Sequence, residues 1–585
     1  MSLLNLSLLT SFLLFFTNLL IVTVSKRYLT YKGVQLLSIL NNTIFLCTCL
    51  YLWPQYTIYG ASELISLKLN NTNWININYE ILLKTSTLSF LFTLLVSVIG
   101  LATNFYILNY FKFEERGEEF VLLINWFEFS MIFLVLSNNF FSILLGWELI
   151  GLTSFLLINF WRFKITTLGC SFKAFTFNKI SDIFLMVAFC LLWNVYKTSD
   201  IDTLLTLIQL NPTNHSNTLY ISCFCILVAS SIKSAQFIGH LWLPDSMEAP
   251  VPASSLIHSA TLVSAGIYLL LKFQPIVHIT NLNNFIFFYG SLTAAFGGIG
   301  AASQSDMKKL LAFSTISHCG FIIASISLNN FLVTVTYLYL HGLFKALTFF
   351  CAGSIIKVNN TQDTRQMGMI KNQLIHTIML IIAAINLGGL PFTFGYLYKY
   401  LFLYNLIITP VSLFGYGFSI IGMLCGVVYV YKLIYYSCFD YRKGVYPVMI
   451  LYLQLNKIWF KKFFFNFTFL KLTAFTIIYS FSVFFYIIIK YYFLKNYIIL
   501  QYSNSFHINE FIYLQNIINS KSYLVSIYYA LFVFVLFILI LQNWRGSSTL
   551  VNKINILVAL LGTCSFVMLL NKIFLYSNII SCLYL

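Results

Sequence analysis

Long apolar stretches, separated by short polar connections, run through this 585-residue chain. A helix needs about 20 mostly apolar residues to cross a bilayer. Sixteen segments qualify: residues 3–24, 33–53, 83–110, 120–137, 139–161, 171–195, 218–243, 251–272, 283–302, 309–328, 330–357, 373–403, 410–439, 467–491, 522–543 and 552–577. A transmembrane β-barrel would show far shorter segments of alternating polarity. The pattern therefore predicts an all-α, polytopic transmembrane bundle of ~15–16 spans. No basic residue precedes the first stretch; Lys26 and Arg27 follow it, which predicts a retained first span rather than a cleaved leader.

The cations test this threading. With the N-terminus outside, twenty of the 34 Lys and Arg residues fall in inner connections and eight in outer connections or span ends, as the positive-inside rule requires. The six left over, Lys179, Lys233, Lys345, Lys399, Lys432 and Lys471, lie within apolar segments. The net charge of +17 is thus explained by topology, and no nucleic-acid partner is expected. Charged residues make up only 9% of the chain and hydrophobic residues 59%, with a mean hydropathy of +0.84. These values exclude a soluble enzyme, a disordered chain and a disulfide scaffold. The abundance of Phe (60) and Tyr (38) fits an AT-rich organelle genome.

The twelve cysteines are scattered; the closest pairs, Cys47/Cys49 and Cys223/Cys225, lack zinc or iron–sulfur spacing. There is no Walker loop, H-E-x-x-H or dinucleotide fingerprint. Gly297-Gly298-Ile299-Gly300 continues into Ala301, Ala302 and Ser303 and reads as a helix-packing face. No nucleotide, haem, flavin or metal centre is expected on this chain, so any redox chemistry would lie on other chains.

Ionisable residues inside the spans carry the candidate chemistry, since a charge at the bilayer centre costs about 2.5–3.5 kcal/mol on insertion scales. Glu148 sits in Gly146-Trp147-Glu148-Leu149-Ile150-Gly151. Asp182 follows Lys179 by three residues on one helix face, so the two either neutralise each other or serve proton transfer. Glu128 reads as structural. Lys233 lies in Ser230-Ser231-Ile232-Lys233-Ser234-Ala235-Gln236, whose side chains suit a locally broken helix that Pro244 ends. Lys399 lies two turns past Gly388-Gly389-Leu390-Pro391, which predicts a second interruption. Two broken helices in corresponding halves, each with a buried lysine, are what an inverted-repeat transporter would contain; two kinked helices with snorkelling lysines are the plainer reading. His341 and Lys345 share a helix face, and His258 lies in a small-residue stretch suited to tight packing. His240, His318 and His376 read as satisfied core residues. Burial can bring Lys down to about 5–6 and Glu up to about 8–9, so such residues exchange protons near neutral pH. Glu148, Lys233, the Lys345/His group and Lys399 form a candidate proton wire.

Five segments together resemble one family: Phe141–Trp161 (FSILLGWELIGLTSFLLINFW), Lys233–Gly266 (KSAQFIGHLWLPDSMEAPVPASSLIHSATLVSAG), Ala302–Gly320 (ASQSDMKKLLAFSTISHCG), His341–Ser354 (HGLFKALTFFCAGS) and Gln362–Gly368 (QDTRQMG). They are similar to the chain 5 family of NADH:ubiquinone oxidoreductase, respiratory complex I, over roughly residues 80–440. The chain 4 family and the large subunit of multi-subunit cation/proton antiporters are relatives. The resemblance implies an antiporter-like, proton-pumping subunit at the distal end of the membrane arm, with two inverted five-helix repeats. Its parts would be N-terminal helices (1–115), a first antiporter-like half (116–275), a second half (276–440) and a C-terminal extension (441–585). The family's glutamate/lysine couple falls on Glu148 and Lys233, its central lysine on Lys345, its eighth-span histidine on His258 and its terminal broken-helix lysine on Lys399. Asp182 matches the acid of its N-R-x-x-D run.

The same resemblance implies that NADH, FMN, iron–sulfur clusters and ubiquinone are bound by partner subunits, with room for a bound phospholipid on this chain. The implied partners are other membrane-arm subunits, above all a chain 4-like antiporter subunit, together with membrane lipids and a respiratory supercomplex, in a mitochondrial inner membrane. There are departures. Tyr337 stands where the family usually has a second histidine, four residues before His341, and Tyr400 follows Lys399 where relatives carry an acid. Only Gln542–Asn552 separates the last two expected spans, where the family has a long lateral helix. The rival readings are a sodium(potassium)/proton antiporter subunit and a structural subunit with a dead channel.

Overall fold

In the computed structural model, the described residues are 8–25, 31–57, 63–68, 80–111, 114, 116–210, 216–368, 374–390, 393–408 and 412–439. The expected spans 467–491, 522–543 and 552–577, Lys471 and the region of the lateral helix lie outside them. In chain order the elements are α1 (Leu8–Ser25), α2 (Tyr31–Thr57), strands β1 (Glu63–Lys68) and β2 (Glu80–Thr85), α3 (Thr87–Tyr110), α4 (Gly117–Leu136), α5 (Phe140–Ile158), α6 (Ile165–Tyr196), α7 (Ile201–Leu210), α8 (Ser216–Lys233) and α9 (Trp242–Asp245). They continue with α10 (Val251–Ser259), α11 (Leu262–Lys272), α12 (Gln274–Ile279), α13 (Asn283–Ser303), α14 (Met307–Ser327), α15 (Phe331–Asn359), α16 (Leu374–Gly388), α17 (Phe394–Ile408) and α18 (Leu413–Ile434, extended by a π turn over Tyr435–Phe439).

Ten helical segments among the described residues are long and apolar enough to cross a membrane. The architecture is that of an all-α, multi-pass membrane protein. Beyond the expected spans it has the short helices α7 and α12 and a two-stranded antiparallel ribbon between α2 and α3, in the register Glu63↔Thr85 to Lys68↔Glu80. The ribbon is tied to the α4–α5 turn, where Asn138 N donates to Leu82 O at 2.9 Å. Local chemistry sets several helix starts. Ser86 and Ser89 form a reciprocal cap on α3, and Asn139 and Ser142 do the same for α5.

Three candidate spans are interrupted. α8 stops at Lys233, and Ala235 and Ile238 adopt positive φ (52° and 74°). The freed carbonyls are answered locally: Gln236 N donates to Ser231 O at 2.8 Å, and the Trp242 indole donates to Ile232 O at 2.9 Å. Pro244 does not cause this break. It sits inside the short α9, in the first turn, where its missing N–H is no loss. The segment 251–272, expected as one helix, is broken at Ala260–Thr261 into α10 and α11. The segment 373–403 is split into α16 and α17: Gly389 takes φ +69° directly after α16, a conformation that L side chains avoid.

Elsewhere the bundle depends on close backbone approach. A Cβ on Gly297 would come within 2.5 Å of Ser317 N, and one on Gly320 within 2.5 Å of Ala294 N, so α13 and α14 pack backbone to backbone. The Gly-rich run is thus the packing face its sequence suggests. We expect Gly320→Ala to destabilise the chain by about 1–3 kcal/mol through overpacking. Gly169→Ala, with nothing within 4 Å of the added methyl, should leave stability unchanged or slightly raised. Thermal denaturation of the detergent-solubilised protein, comparing the two variants, checks this.

Candidate functional site

The ionisable residues of α5, α6 and α8 form a graded cluster. Lys179 bridges two carboxylates, with Nζ 3.3 Å from Glu148 Oε1 and 3.4 Å from Asp182 Oδ2. Glu148 and Lys179 are about half exposed (49% and 44% of the side chain), whereas Asp182 is 8% exposed and Lys233 fully buried. Lys179 therefore does what the i, i+3 spacing allowed and also reaches the acid of the neighbouring helix. Lys233 makes no direct contact with Glu148. Its Nζ donates to Trp147 O at 2.9 Å and lies 4.8 Å from the centre of the Trp147 ring. The glutamate/lysine couple implied by the resemblance is thus mediated by the backbone of Trp147, the residue before Glu148. Trp147 is itself fixed: its indole donates to Ser181 Oγ at 3.3 Å, next to Asp182. Gly151 lies beside the Lys233 amine, where a Cβ would stand 3.6 Å from Nζ, at ordinary contact distance.

The central group lies between α10, α14 and α15. Lys345 is fully buried and donates to Leu311 O at 3.1 Å and to Ser314 Oγ. One turn away on the same face, His341 is buried, and its Nε2 has no hydrogen-bond partner among the described residues. His258 Nε2 shares a hydrogen bond with Ser246 Oγ at 3.2 Å, and its ring lies 5.4 Å from that of Phe349. His318, read from sequence as a core residue, is buried and bonded through both nitrogens, and its ring is 5.1 Å from His341. It is therefore the satisfied core residue that the sequence reading makes it. Its partners Tyr337 and Tyr429 lie 19 and 111 residues away.

Lys399 sits at the second interruption. Its Nζ donates to Gly388 O at 2.8 Å, the last carbonyl of α16. The break thus presents the negative end of a helix to the amine. Gly389 is required twice over, for its positive φ and because a Cβ would stand 2.5 Å from Lys399 Cδ. Tyr337 and Tyr398 pack with ring centroids 4.1 Å apart, beside Lys399 in sequence.

Lys233, Lys345 and Lys399 share one property: each is held by a main-chain carbonyl, and none has a carboxylate within 4.0 Å among the described residues. An amine held this way loses no ion pair when it gives up its proton. Glu128 lies apart from the line. It is buried and accepts a 2.7 Å hydrogen bond from Asn42, tying α4 to α2. No group of three or more His, Cys, Asp or Glu side chains among the described residues is placed to hold a metal ion.

Residues 137–425 match the family described as NADH:quinone oxidoreductase/Mrp antiporter, TM. The chain is 40% identical to the NADH-ubiquinone oxidoreductase chain 5 of Paramecium tetraurelia over 435 residues, 72% of this chain and 75% of that protein. In fold it is similar to a chain of the Mrp complex from Dietzia sp., with a TM-score of 0.66 at 22% identity, covering 74% of this chain and 47% of that one. A chain of the membrane-bound sulfane sulfur reductase, an archaeal respiratory membrane complex, superposes with a TM-score of 0.65 at 16% identity over 81% of this chain and 99% of that one. With its lysine and histidine line carried on an antiporter-like bundle, the chain belongs to the NADH-ubiquinone oxidoreductase chain 5 family.

Proposed function

We propose that this chain moves protons across the mitochondrial inner membrane as a membrane-arm subunit of NADH-ubiquinone oxidoreductase, through Lys233, Lys345 and Lys399. The observation that carries the reading is the common environment of these three amines, buried and bound to neutral carbonyls rather than to carboxylates. NADH oxidation, FMN, the iron–sulfur clusters and ubiquinone belong to partner subunits in this reading. Moving one charge against 100 mV costs about 2.3 kcal/mol, so the energy has to come from those partners.

The Glu148–Lys179–Asp182 cluster is where their influence reaches the line. Glu148 and Lys179 open onto a face where Leu145 and Leu152 of α5 and Ile183 and Met186 of α6 are also exposed. An ion pair on such a face suits a neighbouring protein better than hydrocarbon, which supports a chain 4-like antiporter subunit there. A change of charge on that neighbour would shift Lys179 between its two carboxylates and alter the field at Lys233. His258 and His341 would serve Lys345, and Lys399 would pass the proton on.

Three outcomes are expected. In gently solubilised membranes resolved on a native gel, the chain migrates in a very large band that oxidises NADH. Migration in a smaller assembly without that activity, with cation-dependent proton exchange, would favour the sodium(potassium)/proton antiporter reading. Replacing Lys399 by Gln leaves assembly and NADH oxidation in place and lowers the number of protons moved per NADH; an unchanged ratio in an assembled complex removes the assigned role. Glu148→Gln weakens the link to the partner subunit and lowers the same ratio, while costing the isolated chain at most ~1 kcal/mol because the pair is half exposed. Chemical denaturation of the chain checks the second part.

A further inference from the structure

The central and terminal lysines lie on different helices, and no side chain named so far joins them. His318 of α14 occupies that gap. Its Nδ1 is 3.0 Å from the Tyr337 hydroxyl of α15, and its Nε2 is 2.9 Å from the Tyr429 hydroxyl of α18. On one side its ring faces His341, which lies one helical turn from Lys345. On the other side Tyr429 follows Gly426 by three residues on one face of α18, and a Cβ on Gly426 would stand 3.4 Å from Lys399 Nζ. We infer that His318, bridged by Tyr337 and Tyr429, is the relay that carries the proton from the Lys345/His341 group to Lys399. The inference rests on the proton-conducting role proposed above and names a group within that path.

The chemistry follows from the bridge. A neutral imidazole has one N–H donor and one acceptor nitrogen, whereas a tyrosine hydroxyl does both. The Tyr337–His318–Tyr429 bridge therefore has two polarities. In one, Tyr337 donates to Nδ1 and Nε2–H donates to Tyr429. In the other, Nδ1–H donates to Tyr337 and Tyr429 donates to Nε2. When Tyr337 gives its hydroxyl proton to Nδ1 and takes another from the His341 side, Nε2 gives its proton to Tyr429, whose own hydroxyl proton leaves towards Lys399; each O–H or N–H bond broken is matched by one formed, the ring changes tautomer and one proton has moved across. The first state returns when the ring turns out of the bridge, exchanges Nδ1–H for Nε2–H through a water molecule and re-enters with the two hydroxyls rotated. Tyr337 itself takes the position where the resemblance places a histidine. The imidazole has in effect moved from α15 to α14, and the tyrosine now orients it.

The test uses the assembled oxidoreductase in sealed vesicles, reading protons moved per NADH oxidised. His318→Gln keeps a donor and an acceptor for the two hydroxyls but has no tautomer that passes a proton. The expected result is an assembled complex with retained NADH oxidation and a lower ratio, restored when Tyr337→His is added to return an imidazole to the gap. A purely structural role predicts an unchanged ratio in His318→Gln, and that result would overturn the relay. Should His318→Gln fail to assemble, Tyr429→Phe decides: it keeps the ring and removes the hydroxyl on the Lys399 side, and an unchanged ratio again overturns the proposal. The Lys399→Gln variant separates the two levels. If it lowers the ratio and the His318 and Tyr429 variants do not, the relay is wrong and the wider reading survives.

Discussion

Buried amines without carboxylate partners, Lys233, Lys345 and Lys399 together with Lys308 at the start of α14, set the terms for the rest of this bundle. An ammonium ion in an apolar interior needs oxygen ligands, and a helix can offer them in two ways: a carbonyl at its end, or the second lone pair of a carbonyl within it. The chain uses both. Lys399 takes the last carbonyl of α16, and the glycine after it turns the backbone away. Lys233 closes α8 itself and reaches sideways to the carbonyl of Trp147. Lys345 has no break on its own helix and takes Leu311 O with help from the Ser314 hydroxyl. Main-chain carbonyls, at a helix end for Lys399 and within α5 and α14 for Lys233 and Lys345, are thus the means by which cations are tolerated where the composition is otherwise hydrocarbon-like.

Small residues are the second half of the same solution. Gly389 leaves the space that the Lys399 stem fills, and Gly266 lets α11 pack against the end of α8 at Ser230 and Ser234. Around them the close α13–α14 packing brings the polar face of α14, with Ser314 and His318, against α15 and α18. Large aromatic side chains such as Trp147, Tyr339 and Phe350 fill the core around these polar groups, and Glu128 with Asn42 forms a separate buried polar contact.

Much of this was legible in the sequence because it is local. Span positions follow from runs of apolar residues. The breaks at Lys233 and Gly388–Gly389 follow from polar or glycine-rich interruptions within such runs. What stayed hidden depends on pairs far apart in the chain. Spacing placed Lys179 beside Asp182 but could not show that Glu148, 31 residues earlier, meets the same amine. The break at Ala260–Thr261 has no glycine or proline to announce it; it lies among Ser255, Ser259 and Ser264, whose hydroxyls bond to backbone carbonyls of the preceding turn. Pro244 misled for a related reason: proline stops a helix in its interior but is accommodated in its first turn. His318 is the satisfied core residue its sequence suggests, but its two partners are tyrosines on other helices, which spacing cannot show.

The three lysine sites differ in how they meet their surroundings, and in the proposed role that difference would order the line. At one end Lys233 lies next to an ion-pair cluster that is half exposed and can be perturbed from outside the chain. In the middle Lys345 is enclosed, with only hydroxyl, imidazole and carbonyl groups about it. At the other end Lys399 faces the carbonyl end of a helix whose dipole stabilises the protonated amine. In the proton-moving role proposed above, a perturbation of the Glu148–Lys179–Asp182 cluster would act first on Lys233 and reach Lys399 through the groups between. Coulombic influence falls with distance and screening, so in that role protons would shift in sequence along the line rather than all at once. The asymmetry of the sites, and not any one lysine, is what would let an external charge change be converted into ordered proton movement.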